Sequence, residues 1–255
     1  MSAVRYEVAD HIGVITIDRP EARNAVNGDV ASGIETAIDE LEADEDTWVG
    51  IITGEGSAFC AGADLKAVAS GDSAGLSTKR GGFGGFVARE RAKPVIAAVN
   101  GHALAGGCEI LLACDMAVVA DGVKIGLPEV KRSLVAAAGG LFRLPQAVGP
   151  ALAAEMILTG DPITADQALA AGLVNRVVPA DEVMAEATAL AQRIAVNAPL
   201  AVQASRDVML QASLGDEADL FRASGMKMRD LSTTEDFAEG PLAFIEKRAP
   251  NWKGR

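Results

Sequence analysis

The stretch that decides the fold is residues 93–109, KPVIAAVNGHALAGGCE. Val95–Val99 is an unbroken apolar run, which predicts a strand buried within a sheet. Asn100-Gly101 predicts a turn, and Gly106-Gly107 predicts the start of a helix over 108–113. A further apolar run at 116–119 predicts the next strand. Strand, turn, helix and strand in this order indicate the α/β class.

The N-terminal part continues this pattern. Residues 6–8 and 14–17 predict an opening β-hairpin, and 48–53 a short strand. A helix is predicted over Gly28–Ala43, because Val30, Ile34, Ile38 and Leu41 recur on one face of a 3.6-residue period. Residues 54–64 predict a loop, and 65–69 a short helix.

The C-terminal half changes to mostly helical patterns. Helices are predicted over 151–159, 164–171 with Thr164 as N-cap, 181–196 and 200–247, with Gly240-Pro241 interrupting the last, and a strand over 175–178. A soft boundary at Ala198-Pro199 divides the chain into a core, 1–198, and a C-terminal helical region, 199–255. Residues 70–85 contain six glycines and predict a mobile loop. No internal repeat is visible.

Composition excludes several functions. Among 255 residues there are two histidines, His11 and His102, too few for a His-rich zinc site. The net charge of −12 argues against nucleic-acid binding, which requires clustered Lys and Arg. Three cysteines without CxxC spacing favour a reducing compartment. No secretory signal or membrane-spanning run is visible, so a cytoplasmic protein is expected.

Common nucleotide and nucleophile motifs are also missing from the sequence. Gly54-Glu55-Gly56 and Gly82-Phe83-Gly84 both lack the final glycine of GxGxxG. Neither GxxxxGK[ST] nor GxSxG occurs. NAD, ATP and serine-hydrolase functions therefore lose support.

Two features remain as candidates for chemistry. Amides at a helix start near Gly106-Gly107 lack intrahelical partners and can bind an oxyanion, although a glycine pair also serves close strand–helix packing. Glu109 and Glu129 can share acid–base work if they face one pocket. Each also fits a plain role, Glu109 beside a helix dipole and Glu129 after Pro128 at a turn. Spacing alone does not decide whether the two carboxylates meet.

Taken together, the segments carry a family resemblance. Residues 51–65, IITGEGSAFCAGADL, and 93–109 resemble the two signatures of the crotonase, or enoyl-CoA hydratase/isomerase, superfamily. Shorter matches are Arg19-Pro20, residues 24–27, 158–160 and 171–174, and the tail 244–248. The resemblance implies an α/β fold, a spiral of ββα units with a C-terminal helical region that builds a homotrimer or a dimer of trimers.

The resemblance also implies the substrate and the site. The substrate would be an acyl-CoA thioester, so coenzyme A arrives as part of the substrate and no separate cofactor or metal is expected. The backbone N–H groups of Ala61 and Gly106 would form an oxyanion hole. Glu109 would act as base toward the water that attacks C3, and Glu129 would deliver the proton to C2. His102 would be structural.

Binding of CoA is the least specific part of this expectation. The residues expected to contact substrate or CoA are Arg23, Ala61, Ala63, Asp64, Leu65, Lys66 and Gly106, together with Phe244 and Lys247, which would reach a neighbouring subunit's ligand. Because the protein and CoA are both anionic, affinity would rest on local N–H groups and a few basic side chains.

One departure from the family pattern concerns the acyl pocket. Typical hydratases carry a GTIPGAGG-like stretch where this chain has SLVAAAGG at 133–140. The leading function is hydration of a 2-enoyl-CoA. The alternatives are a double-bond isomerase, a hydratase or dehydratase for a non-fatty acyl group, and a non-catalytic acyl-CoA-binding protein.

Overall fold

The computed structural model describes residues 2–69, 71, 73–213 and 215–255. The strands in these residues are β1 Val4–Ala9, β2 Ile12–Ile17, β3 Val49–Gly54, β4 Ala58–Cys60, β5 Ser77–Thr78, β6 Gly82–Phe83, β7 Val95–Val99, β8 His102–Leu104, β9 Met116–Ala120, β10 Lys124–Gly126, β11 Ile163–Thr164 and β12 Arg176–Val178. The α-helices are α1 Gly28–Ala43, α2 Leu65–Ala69, α3 Gly106–Ala113, α4 Gly140–Val148, α5 Pro150–Thr159, α6 Ala165–Ala170, α7 Val183–Ala195, α8 Pro199–Gln211, α9 Glu217–Leu231 and α10 Glu235–Glu246.

Two sheets form the scaffold. The larger sheet has the order β1-β2-β3-β7-β9-β12, and within it the β1–β2 hairpin is antiparallel while the other pairs are parallel. The smaller sheet has the order β11-β10-β8-β4 and is parallel except between β10 and β11. The apolar run Val95–Val99 is β7, buried along its whole length near the centre of the larger sheet, as its pattern predicts.

The two sheets are linked by a repeated unit. β3, β7 and β9 lie in the larger sheet, and each is followed by a three-residue strand of the smaller sheet, β4, β8 or β10. A helix then returns the chain: α2 after β4, α3 after β8, and α4 after β10. This is the expected spiral of ββα units in an α/β fold. The ββα unit recurs in space without a matching repeat in the sequence, because each copy buries a different set of side chains.

Helix α1 shows why a local sequence pattern is sufficient to predict some elements of this fold. Its N-cap Asn27 accepts a hydrogen bond from the Val30 amide, which satisfies one free N–H of the first turn. The four periodic positions are completely buried against the larger sheet: Val30, Ile34, Ile38 and Leu41. Burying each such side chain contributes about 1.5–3 kcal/mol relative to exposure. The predicted helix is confirmed at both ends.

Three local predictions are wrong. The loop predicted over 54–64 contains β4, because pairing with β8 stabilises a strand too short to recognise from its own sequence. Gly240-Pro241 lies inside α10, which Thr234 caps and the C-terminal tail anchors through Asp236. The helix predicted over 181–196 begins as a short 3-10 turn, Ala180–Glu182, before α7.

The glycine-rich segment 70–85 has more local structure than expected. It forms a 3-10 turn, Ser73–Leu76, and the β5–β6 hairpin, and Leu76 is buried. Ser70 and Asp72, which also belong to the predicted loop, lie outside the described residues.

Helices α8 and α9 bury few of their apolar side chains within the single chain. Pro199, the first residue of α8, is its one buried residue, and α9 has none among its described positions. Large apolar side chains are exposed on these helices and on α10, including Met209, Phe221, Phe244 and Ile245. Across the part of the chain that the structure describes, no helix has the length and apolar character needed to cross a bilayer.

Candidate active site

A cavity of about 770 Å³ lies where the N-termini of α3 and α4 approach the β5–β6 hairpin. It brings together residues that are far apart in sequence. Of the predicted site residues, those that line it are Arg23, Ala61, Ala63, Leu65, Gly106, Glu109 and Glu129. The two glutamates, 20 positions apart in the chain, therefore face one cavity, which spacing alone did not decide.

Glu109 lies in the first turn of α3 and is almost completely buried. Its Oε1 accepts a hydrogen bond of 3.0 Å from the amide of Gly140, the first residue of α4. Burial raises the pKa of Glu109 to about 7, and the Glu129 charge adds to the rise; the Gly140 and Ala138 amides and the Arg143 charge oppose it. A carboxyl group with this pKa exchanges protons readily near neutral pH.

Glu129 begins a short 3-10 helix, Glu129–Arg132, directly after Pro128. Burial raises its pKa, while its own backbone amide and the Arg132 charge lower it. Its Oε2 is buried and has no hydrogen-bond partner among the described residues. An oxygen in this state is available for a substrate proton or a water molecule.

The start of α3 presents an amide to the same cavity. Gly106 is the first residue of α3, where backbone N–H groups have no intrahelical acceptor. A Cβ on Gly106 would lie 2.3 Å from the Phe83 ring. A Cβ on the next residue, Gly107, would lie 2.0 Å from the Cys60 carbonyl oxygen. The glycine pair therefore serves close packing and also leaves an amide at the cavity wall.

The opposite wall corrects one expectation. The Ala61 N–H donates to the carbonyl oxygen of Arg23 at 3.1 Å, so it is engaged within the protein and is not free to hold an oxyanion. Ala63 also lines the cavity, and its N–H donates to no acceptor among the described residues, since the bridge to Val26 uses the Gly62 carbonyl and the Asp64 amide. Of the Ala61 and Ala63 amides, the one without an acceptor among the described residues is therefore that of Ala63.

Gly62, between these two alanines, packs closely against the start of α3. It has a φ of +92°, and a Cβ at this position would lie 3.0 Å from the Gly106 nitrogen and 2.8 Å from the Ala105 Cβ. The absent side chain therefore allows the Ala61–Ala63 segment to pack closely against the start of α3.

Comparison with known proteins shows the family to which this chain belongs. The family model described as enoyl-CoA hydratase/isomerase matches residues 7–255. The carnitinyl-CoA dehydratase of Proteus mirabilis (strain HI4320) is 41% identical over 247 residues, 94% of each chain. The 2,3-dehydroadipyl-CoA hydratase of Escherichia coli (strain K12) is 41% identical over 251 residues, 95% of each. The crystal structure of enoyl-CoA hydratase from Mycobacterium tuberculosis H37Rv superposes with a TM-score of 0.96 at 42% identity over all of both chains.

This chain belongs to the enoyl-CoA hydratase/isomerase family. The resemblance of its two signatures and the expected crotonase fold are thereby confirmed. The family assignment does not depend on the site residues, which are located by the structure.

Some of the other residues predicted to contact CoA line the cavity, and some do not. Arg23 and Leu65 line the cavity, and Arg23 adopts a left-handed backbone conformation with φ of 53° that ends the 3-10 turn Pro20–Ala22. Four predicted residues do not line the cavity in this chain: Asp64, Lys66, Phe244 and Lys247. The Asp64 carboxylate is held by Arg19 and by the Lys66 amide, so it orders the start of α2. Phe244 is 85% exposed on α10.

Sequence reasoning missed the contribution of α4. Gly140 holds Glu109, and Arg143, one turn along, lines the cavity with Phe142. The only sequence signal was the Gly139-Gly140 pair, which stands in the segment that departs from the family pattern. From the same segment, Leu134, Val135, Ala137 and Ala138 line the cavity, so the departure changes the cavity wall itself.

Two further polar groups, His102 and Asp115, have structural partners. The His102 Nδ1 accepts a hydrogen bond from the Lys124 amide, in agreement with its expected structural role. A second cavity, of about 980 Å³, lies against α8 and α9, and its Asp115 carboxylate is bound by Arg91, Arg206 and the Val95 amide. Within the described residues, no group of three or more His, Cys, Asp or Glu side chains is arranged to hold a metal ion.

Proposed function

We propose that this protein is a hydratase that reversibly adds water across the C2=C3 double bond of a 2-enoyl-CoA thioester. The observation that carries the proposal is the placement of Glu109, which is buried, and Glu129, which is partly buried, on one cavity with the Gly106 amide at the start of α3; both carboxyl groups have a raised pKa. Relatives whose names describe hydratases and dehydratases support the same reaction class.

The geometry supports a defined division of roles. Ionised Glu109 takes a proton from a water molecule as its oxygen forms a bond to C3. Glu129 in its protonated form delivers the proton that C2 gains, and in dehydration the two steps reverse. The amides of Ala63 and Gly106 would hold the thioester oxygen while it carries enolate charge, and such preorganised donors are usually the largest electrostatic contribution to catalysis.

A pKa of about 7 for Glu109 suits this use. A general base is most effective when its pKa lies near the working pH, because it is then both ionised and basic enough to take the proton. A surface glutamate at its ordinary pKa would be ionised but a weaker base. Burial at the α3–α4 contact therefore supplies basicity, and the Gly140 amide keeps the charged form accessible.

For the CoA portion, Arg23 at the cavity wall is our candidate for a phosphate contact. Lys66, and Phe244 and Lys247 from a neighbouring subunit, are retained as candidates that require a second copy or a bound substrate. The exposed apolar side chains of α8–α10 support assembly into a trimer or a dimer of trimers.

The acyl portion would lie against Leu134, Val135, Ala138 and Phe142. Leu134, Val135 and Phe142 are each more than half exposed in the single chain, which favours an apolar acyl group that covers them. We therefore propose an uncharged acyl chain as the preferred substrate. Three 2-enoyl-CoA thioesters of equal chain length, ending in a methyl, a carboxylate or a trimethylammonium group, test this preference.

The decisive experiment measures hydration of this panel by loss of the conjugated enoyl thioester and identification of the 3-hydroxyacyl product. Glu109→Gln and Glu129→Gln should each reduce kcat by about 10²- to 10⁴-fold. Glu182→Gln, an exposed carboxylate outside the cavity, is the matched control and should behave as wild type.

Other outcomes would replace the proposal. Deuterium exchange and double-bond migration without net hydration, with activity surviving one of the two substitutions, would indicate an isomerase. Thioester binding that is unaffected by both substitutions, with no turnover of any thioester, would indicate a non-catalytic acyl-CoA-binding protein.

A further inference from the structure

Arg143 on α4 makes contacts that point away from a simple surface role. Its side chain is half-buried, and its Nη2 donates to the Val87 carbonyl oxygen at 2.7 Å. Its Nη1 lies 3.5 Å from the Ala138 carbonyl oxygen, and its guanidinium carbon lies 5.3 Å from the centre of the Phe142 ring. Among the described residues, no carboxylate forms an ion pair with it. A half-buried arginine is thus held by carbonyl oxygens and an aromatic ring.

These contacts fall on the turn that leads into α4. Gly139 has a φ of +113°, and a Cβ there would lie 2.4 Å from the Arg143 Nη1, so the guanidinium group covers this glycine directly. The next residue, Gly140, donates its N–H to Glu109. Arg143 therefore contacts both sides of the turn that orients this amide, and through Val87 it ties the turn to the chain after β6.

The charge of Arg143 acts in the same direction. The charged groups facing Glu109 from the elements packed around it are Glu129 and Arg143, and the adjacent Cys108 thiol is kept neutral by burial, which raises its pKa. Arg143 in turn faces Arg91 and the partly buried Cys114. Glu129 disfavours ionised Glu109 only while Glu129 is itself ionised, whereas the Arg143 charge favours ionised Glu109 in either state of Glu129.

We infer that Arg143 is a positioning residue of the site: it fixes the Ala138–Gly140 turn so that the Gly140 amide orients Glu109, and its charge favours the ionised carboxylate. It does so without touching the reacting atoms. The inference rests on the proposed role of Glu109 as base, and the experiment separates the two.

The first measurement does not require turnover. The carboxyl ¹³C resonance of Glu109, assigned with Glu109→Gln, is titrated in the wild-type protein, in Arg143→Met and in Arg193→Met. Arg193 is exposed on α7 and is the matched control. Arg143→Met should move the Glu109 midpoint up by about one pH unit, because it removes a nearby opposite charge; Arg193→Met should leave it unchanged. An unchanged midpoint in folded Arg143→Met would overturn the inference.

The second measurement is the pH profile of hydration. In Arg143→Met, kcat should fall by roughly 10- to 100-fold with little change in KM, and the acid limb should move to higher pH. Arg143→Lys keeps the charge but loses the forked contacts, so its acid limb should stay closer to wild type while kcat still falls. A rise in KM alone would instead place Arg143 against the acyl group and would overturn the inference.

Two further outcomes have assigned meanings. If Arg143→Met does not fold, the Arg143→Lys variant decides, and a wild-type kcat in that variant would overturn the inference. If the wild-type protein hydrates no thioester, the proposed function fails, while the Glu109 titration still tests the link between Arg143 and Glu109.

Discussion

Adding one methyl group at Gly62 tests whether the geometry around the Gly106 amide matters for catalysis as well as for stability. In Gly62→Ala, the new Cβ would lie 3.0 Å from the Gly106 nitrogen, 2.8 Å from the Ala105 Cβ and 3.2 Å from the Leu104 carbonyl oxygen. Gly62 itself is buried and does not line the cavity, so the methyl group would crowd the Gly106 nitrogen and push apart the two backbone segments that carry the Ala63 and Gly106 amides. The substitution therefore affects substrate chemistry and stability together, and the two effects have to be measured separately.

The expected magnitudes differ for the two effects. An L-residue at a φ of +92° is disfavoured by roughly 1–2 kcal/mol, and the close contacts add to this. Loss of one oxyanion donor typically reduces kcat by about 10²- to 10³-fold, or about 2.7–4 kcal/mol. Gly172→Ala is the matched control, since Gly172 has a φ of +77° and no atom lies within 4 Å of the place its new methyl group would take. It should show the backbone destabilisation without the loss of activity.

Both variants are assayed for hydration well below their midpoints of thermal unfolding, and their free energies of unfolding are measured by denaturant titration. We expect Gly62→Ala to lose about two orders of magnitude in kcat/KM relative to Gly172→Ala. If folded Gly62→Ala stays within about three-fold of Gly172→Ala, the spacing of the backbone segments that carry the Ala63 and Gly106 amides does not control catalysis, and the oxyanion role of these amides is refuted.

Two further predictions concern stability. Because the pKa of Glu109 is raised from 4.5 to about 7 in the folded protein, the folded state binds more protons than the unfolded state between these values, so this group's contribution is complete below about pH 4.5 and is lost as pH rises to about 7. The change in the free energy of unfolding caused by Glu109→Gln should therefore be more favourable at pH 8 than at pH 5 by roughly 1–3 kcal/mol. Equal changes at both pH values in denaturant titrations would contradict this. Asp115→Asn should lower the free energy of unfolding by about 3–5 kcal/mol, because it leaves the buried Arg91 and Arg206 without their carboxylate. The exposed pair Lys131–Asp161 provides the control Asp161→Asn, for which about 0–1 kcal/mol is expected; similar losses in both variants would show that the buried cluster has no special role.

The local elements of this fold follow from local patterns. The face of α1, its Asn27 cap and the buried run of β7 follow from periodicity and side-chain chemistry within a few residues. The strands β4, β8 and β10 do not, because each has three residues and is stabilised by partners elsewhere in the chain. Sequence patterns therefore predicted most of the larger sheet and missed most of the smaller one.

The site divides in the same way. Glu109, Glu129 and Gly106 could be named in advance because their residue types and motif positions suit acid–base and oxyanion chemistry. The choice between the amides of Ala61 and Ala63 could not, since it depends on which carbonyl oxygen, here that of Arg23, reaches the strand from another part of the chain. Two amides two residues apart look equivalent in sequence until pairing engages one of them.

The sequence by itself determined the α/β class, the family and the residue types available for catalysis, because these depend on the order of the chain. Tertiary structure alone decided that the two glutamates share a cavity and that burial raises the pKa of Glu109 to about 7. It also decided that the Gly140 amide of α4 donates to Glu109 and that the Arg143 charge acts on it. The physical reason is that desolvation, electrostatic coupling and hydrogen-bond pairing act between atoms that are close in space, whatever their separation along the chain.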